Sequence, residues 1–175
     1  WVYCGLGILP LALVLVLGET TLGSKLSFTV NGITFQPSEM VKILFVLFLA
    51  SALSCSISFV NVSITAIAAA AHIVILVFSK DLGSALIFTV TFILIVFVAT
   101  RNYWYLLAGL AASSCASVIA FRLFTHVRIR ILAWTNPWTY IDNQGYQITQ
   151  SLFAIGSGSW FGMGLYQGVP DDIPY

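Results

Sequence analysis

The chain has 175 residues, of which 59% are hydrophobic and only 7% charged, with a net charge of +1. Ordinary soluble domains carry about 25% charged residues, so this composition excludes a water-facing globular surface. No basic run is present to suggest nucleic acid. The apolar runs are continuous and do not alternate with period two, which argues against a transmembrane β-barrel and for an all-α polytopic membrane protein.

Taken in order, the spacing predicts five spans. The first occupies 1–17 and is interrupted by Pro10. The chain starts at Trp1 without Met, and neither a basic start nor a small-residue cleavage site marks a signal peptide. The expectation is an internal piece of a larger membrane protein. A loop from Gly18 to Thr34 follows, with turn chemistry at Gly23, Ser24 and Asn31-Gly32, and Lys25 to Val30 reads as a short strand or interfacial stretch. The second span, 38–53, opens on Gln36-Pro37-Ser38-Glu39. Proline suits a first helical turn, where its missing N–H costs nothing, and an acidic residue complements the positive helix N-terminus. A connection over Ser54–Ser63 leads to a third span at 62–78. Ser79-Lys80-Asp81 breaks the chain before a fourth span at 85–99, with Asp81 placed to cap it. Arg101 to Trp104 forms a turn with aromatics at interface depth before the fifth span at 105–121. Residues 1–124 thus form the transmembrane part, and 125–175 a large loop.

Charges inside a membrane cost about 2.5–3.5 kcal/mol each on insertion scales, so the few present need a reason. Glu39 and Lys42, three apart, project from one helix face and are expected to pair at or near a polar cavity. His72 lies alone within the third span and is expected to hydrogen-bond a neighbouring helix. Cys4, Cys55 and Cys115 lack a CxxC spacing and read as small apolar helix residues. In the loop, Arg128 and Arg130 suit bidentate contacts to phosphate. Trp134 and Trp138 suit a membrane interface. From Gly145 to Ile155, Ile148, Leu152 and Ile155 recur at helical spacing beside polar Gln147, Gln150 and Ser151. That pattern predicts an amphipathic helix with its apolar face on the helix bundle and a stop at Gly156-Ser-Gly-Ser159. Lys25, Lys80, Arg122, Arg128 and Arg130 all fall on one side of a five-span topology, against Arg101 on the other. By the positive-inside rule that side would be cytoplasmic.

Gln36-Pro-Ser-Glu39 with Lys42, Asp81-Leu-Gly83, and the run from Arg128 through Trp134-Thr-Asn-Pro-Trp138 and Gly145-Tyr-Gln147 occur in order. They are followed by Gln150-Ser-Leu-Phe-Ala-Ile-Gly-Ser-Gly158, Gly162-Met-Gly164 and Gly168. Together these motifs resemble the SEDS family (FtsW, RodA and SpoVE), over essentially the whole chain. The resemblance implies a bacterial cytoplasmic (inner) membrane protein of about ten helices, of which this stretch supplies the third to seventh plus most of the large extracytoplasmic loop. It implies glycan-strand polymerisation from lipid II, in division, elongation or sporulation, beside a class B penicillin-binding protein and among membrane lipids. It also places the loop outside, against the charge count, and a pyrophosphate-bearing substrate there gives the cations a purpose.

On that reading Glu39, Lys42, Asp81, Arg128, Arg130, Gln147, Gln150 and Ser151 line or shape the substrate cavity. The family's catalytic aspartate sits in an Asp-Phe motif after the segment corresponding to 168–174, which the resemblance puts beyond Tyr175. Asp171 and Asp172 precede Ile173-Pro174 and do not match it, so no catalytic residue is assigned and the stretch alone is expected to be inactive. No cofactor is evident, although Mg²⁺ or Mn²⁺ would suit pyrophosphate chemistry. The alternatives are a transporter of a lipid-linked precursor, which also needs paired charges around a cavity, and a non-catalytic division scaffold.

Overall fold

A computed structural model describes residues 1–21, 24–30, 33–142 and 145–167. Gly23, Asn31-Gly32, Gly168, Asp171, Asp172 and Tyr175 lie outside the described residues. The expected position of the catalytic aspartate, after Tyr175, is therefore outside them as well. Contacts divide the chain into two compact units, residues 1–116 and 117–175. The fold is that of an all-α polytopic membrane protein with a small β insertion.

In the first unit, helix α1 (Val2–Leu17) leads into three short antiparallel strands, β1 (Glu19–Thr21), β2 (Ser24–Val30) and β3 (Ile33–Phe35), in the order β1-β2-β3. The stretch Lys25–Val30 falls in β2, whose Phe28, Thr29 and Val30 pair with Phe35, Thr34 and Ile33. Three long helices follow: α2 (Pro37–Cys55), α3 (Phe59–Phe78) and α4 (Leu82–Thr100). Helix α5 (Tyr103–Leu123) crosses from the first unit into the second. Helices α2 to α5, of 19 to 21 residues, are long and apolar enough to cross a membrane. Helix α1 has 16 residues, which at 1.5 Å rise is about 24 Å, short of the hydrocarbon core of about 30 Å.

The helix ends follow local chemistry. Pro37 occupies the first turn of α2. Helix α3 begins at Phe59, earlier than the apolar pattern predicts, because Ser58 caps it by accepting from the Asn61 amide at 3.3 Å. The Asn61 side chain also donates to the Ala52 and Ser56 carbonyls at 2.8 and 2.6 Å. The expected ten-residue connection is thereby reduced to Ser56–Ser58. Helix α3 ends in a Schellman turn: Asp81 N–H donates to Leu76 O and Lys80 N–H to Val77 O, with Lys80 in the left-handed region at φ 64°.

The core of this unit is aromatic and small at once. Phe45 and Phe48 of α2 and Phe88 of α4 are almost wholly buried with Leu49, Ala69 and Leu76. The Phe45 and Phe88 rings lie 4.5 Å apart. Between lipid-immersed helices the apolar surface gains little from leaving lipid, so association rests on close packing. Embedded hydroxyls bond carbonyls of their own helices: Thr65 to Asn61, Thr89 to Ala85 and Thr100 to Val96, each at 2.8 Å. No residue of α5 is buried.

In the second unit, α6 (Thr125–Thr135), a 3₁₀ turn (Pro137–Tyr140) and α7 (Tyr146–Gly158) form a compact knot. Helix α7 ends at Gly158, within the expected stop at Gly156-Ser-Gly-Ser159, with Ser159 at φ 49° as its cap. Its buried residue is Thr149, not the 148/152/155 stripe, whose Leu152 and Ile155 are exposed in this unit. The reason lies in Gly145: a Cβ there would stand 2.7 Å from the Pro137 carbonyl oxygen and 2.8 Å from that of Tyr140. The 3₁₀ turn therefore packs on the Gly145–Thr149 edge. Gly145 N–H donates to Tyr140 O at 2.8 Å, and the Thr149 hydroxyl donates to Tyr146 O at 2.9 Å.

Candidate functional site

In the first unit the polar side chains gather where α2 and α4 begin and α3 ends. The Schellman turn delivers Asp81 to the N-cap of α4, where Oδ1 accepts the Ser84 N–H at 3.0 Å. Its other oxygen faces Gln36, the residue before α2, whose Nε2 donates to Asp81 Oδ2 at a long 3.4 Å and to Ser38 Oγ at 2.9 Å. Ser38 and Ser79 are buried. Together with Leu11 and Val14 of α1, Pro37 and Leu76, they and Asp81 line a cleft of about 10 Å³, room for about one water molecule.

Glu39 and Lys42 form the expected pair, with Lys42 Nζ 2.6 Å from Glu39 Oε1. They do not line the cleft. On α2 the inward positions are Ser38, Val41, Phe45 and Phe48, which turns Glu39 outward, 63% exposed, while Lys42 is 28% exposed. His72 also departs from expectation: its Nδ1 donates to Ala68 O of its own helix at 2.8 Å, not to a neighbour. Of the residues in the cleft, Pro37 and Ser38 belong to the quoted Gln-Pro-Ser-Glu motif. Ser79 carried no signal beyond its place beside Lys80-Asp81.

In the second unit, Arg128 turns back on α5. Its Nη2 donates to Arg122 O at 3.2 Å, satisfying a carbonyl of that helix's last turn, and its guanidinium carbon lies 5.8 Å from the centre of the Phe121 ring. Arg130, two positions on, is exposed and leaves α6 about 200° away around the helix. Gln147 is exposed, Gln150 and Ser151 are half-buried, and Ser151 Oγ donates to Gln147 O at 2.8 Å. Trp134 and Trp138 are exposed, with Trp138 5.8 Å from Phe153. Among the described residues no group of three or more His, Cys, Asp or Glu is placed to hold a metal ion.

Chemically, the first unit offers a carboxylate with one oxygen fixed by a backbone N–H, an amide, two hydroxyls and, one turn away on α2, a paired ammonium. The second offers exposed guanidinium and aromatic groups. Such groups bind and orient a polar, anionic ligand.

Comparison with known proteins agrees with the motifs. The chain is 35% identical over 168 residues to the peptidoglycan glycosyltransferase RodA of Mycobacterium leprae, covering 87% of this chain and 36% of that protein. It is 32% identical over 174 residues to the probable peptidoglycan glycosyltransferase FtsW of Alcanivorax borkumensis, covering 92% and 45%. The chain thus spans less than half the length of these relatives. A solved structure described as "Structural coordination of polymerization and crosslinking by a peptidoglycan synthase complex" superposes with a TM-score of 0.68 at 32% identity, over 90% of this chain and 48% of that one. The family model described as cell cycle protein, FtsW/RodA/SpoVE, matches residues 2–174, and the chain belongs to that family.

Proposed function

We propose that the protein to which this stretch belongs is a peptidoglycan glycan-strand polymerase of the bacterial cytoplasmic membrane. It takes lipid II as substrate and works beside a class B penicillin-binding protein. The observation that carries the reading is the family match over residues 2–174, whose polar motif residues converge where α2 and α4 begin. The names of the relatives and the complex in the solved neighbour support the same chemistry.

The reaction joins an acceptor 4-hydroxyl to a sugar C1 and releases undecaprenyl pyrophosphate. A base takes the hydroxyl proton while cations stabilise the departing phosphates. Within the first unit Lys42 supplies positive charge; within the second Arg128 and Arg130 do, in a form suited to bidentate phosphate contacts. Asp81 and Gln36 hold the entrance of α4 to that of α2, so they position and do not react. The resemblance assigns the base to the aspartate of the family's Asp-Phe motif, which no carboxylate up to Tyr175 matches. The loop with α6 and α7 faces the outside. Magnesium or manganese would assist at the pyrophosphate.

The test uses the full-length protein with purified lipid II. Glu39→Gln and Lys42→Met are expected to reduce glycan polymer at least tenfold while leaving the protein folded. Undiminished polymer in both variants removes the pair from substrate binding. Movement of lipid-linked precursor across the membrane without polymer formation favours the transporter reading.

A further inference from the structure

Helix α1 carries two weakening residues near its middle. Pro10 has no N–H, so the Leu6 carbonyl finds no amide at position 10 to accept from. Gly7, one turn earlier, has no side chain where α1 meets α3. A Cβ at Gly7 would stand 2.8 Å from His72 Nε2.

His72 is fully buried, with the rings of Phe45, Phe48 and Phe88 at centroid distances of 5.3, 6.3 and 6.4 Å. Because a carbonyl oxygen can only accept, the 2.8 Å contact to Ala68 O places the ring hydrogen on Nδ1. That leaves Nε2 as an acceptor, buried against α1 and without a hydrogen-bond partner. An unpartnered acceptor in apolar surroundings is a standing cost to the closed arrangement. Withdrawal of α1 removes that cost by admitting water.

The half of α1 beyond Pro10 is the half that walls the cleft: Leu11 and Val14 line it, opposite Leu76, Ser79 and Asp81. Leu76 lies one helical turn above His72 on α3. At about 10 Å³ the cleft admits no sugar or phosphate group.

We propose that Leu11–Leu17 of α1 is a hinged wall that swings about Gly7–Pro10, opening the polar cleft beside Asp81 while His72 Nε2 gains a water partner. The wall closes by packing Leu11 and Val14 back over the cleft. The hinge rests on the polymerase reading only for what enters, namely a sugar-phosphate portion of the lipid-linked substrate.

The experiment reads movement directly, without turnover. Full-length protein with Cys4, Cys55 and Cys115 replaced by Ala carries a single Leu11→Cys and is placed in lipid nanodiscs. A charged, lipid-impermeant thiol reagent then reports exposure of the closed wall. Pro10→Ala restores the missing helical hydrogen bond, and His72→Leu removes the orphaned nitrogen at similar volume. Each is expected to slow labelling at least threefold, and Gly7→Ala, which forces α1 off His72, to speed it by a similar factor. Pro10→Ala leaves the core untouched, so it decides the matter if His72→Leu fails to fold. Labelling unchanged by Pro10→Ala overturns the hinge. Polymer assays on the same samples keep the two readings apart: absent polymer with hinge-dependent labelling faults the enzyme reading alone.

Discussion

The two units solve opposite problems. Residues 1–116 bury three phenylalanines and a histidine between helices and place their polar atoms at helix ends, where caps satisfy them. Residues 117–175 bury no large side chain among those described: Val127, Ala133, Gly145 and Thr149 are the buried ones, while Trp160 is 93% and Phe161 100% exposed. The first unit draws its order from side-chain packing. The second draws it from backbone contacts around one glycine, and its aromatic surface is available to surroundings outside the unit.

The sharpest break in this contrast is Phe45→Ala. The ring is 1% exposed and touches Phe88 at 4.5 Å. Loss of about 3 kcal/mol is expected, the low end for phenylalanine truncation, because lipid supplies no hydrophobic drive to replace the lost packing. Equilibrium unfolding of the full-length protein in mixed micelles measures it, and hydrogen exchange over 117–167 should stay unchanged. Gly145→Ala is the mirror test. Its Cβ would meet two backbone carbonyls, which do not yield as a flexible side chain would, so roughly 1–3 kcal/mol of local stability should go. Exchange should rise in α6 and α7 and not in α2 to α4.

Much of the helical scaffold was legible because each span is an apolar run bounded by a strong local signal: Pro37 for α2, Asp81 for α4, Arg101-Asn102 between α4 and α5. Which side of each helix is buried was not. In lipid both faces are apolar, so the periodicity that separates core from surface in water is muted. Hence the spacing of Glu39 and Lys42 foretold their pairing but not that Glu39 turns outward. The contact that orders α7 within its own unit left no pattern for a different reason: a close backbone approach such as that at Gly145 is invisible in sequence, whereas the apolar stripe at 148, 152 and 155 is visible. The bond from Gln36 to Asp81 spans 45 positions and left no trace in spacing.

Asp81 permits a finer division between scaffold and site. Asp81→Ala removes the α4 cap and should cost about 1 kcal/mol. Asp81→Asn keeps a capping oxygen and should cost only a few tenths, since asparagine caps as well as aspartate. If polymer formation by the full-length protein falls equally in both, the carboxylate charge serves the ligand. If only the alanine variant suffers, Asp81 acts through the geometry of the α3–α4 turn.

An effect smaller than loss of the Asp81 cap concerns the residue that aims Asp81. Lys80 sits at φ 64° in the position after a helix end that glycine usually fills. A side chain there crowds the following carbonyl, at a cost of roughly 1 kcal/mol. Lys80→Gly relieves that crowding but enlarges the conformational freedom of the unfolded chain, which offsets part of the gain. A net stabilisation of about 0.5 kcal/mol is expected in the same micelle unfolding experiment. A loss of similar size would mean that the lysine's own contacts outweigh its strained backbone. Either sign leaves the Asp81 cap in place, so polymer formation that falls in Lys80→Gly would report the lost ammonium and not a displaced turn.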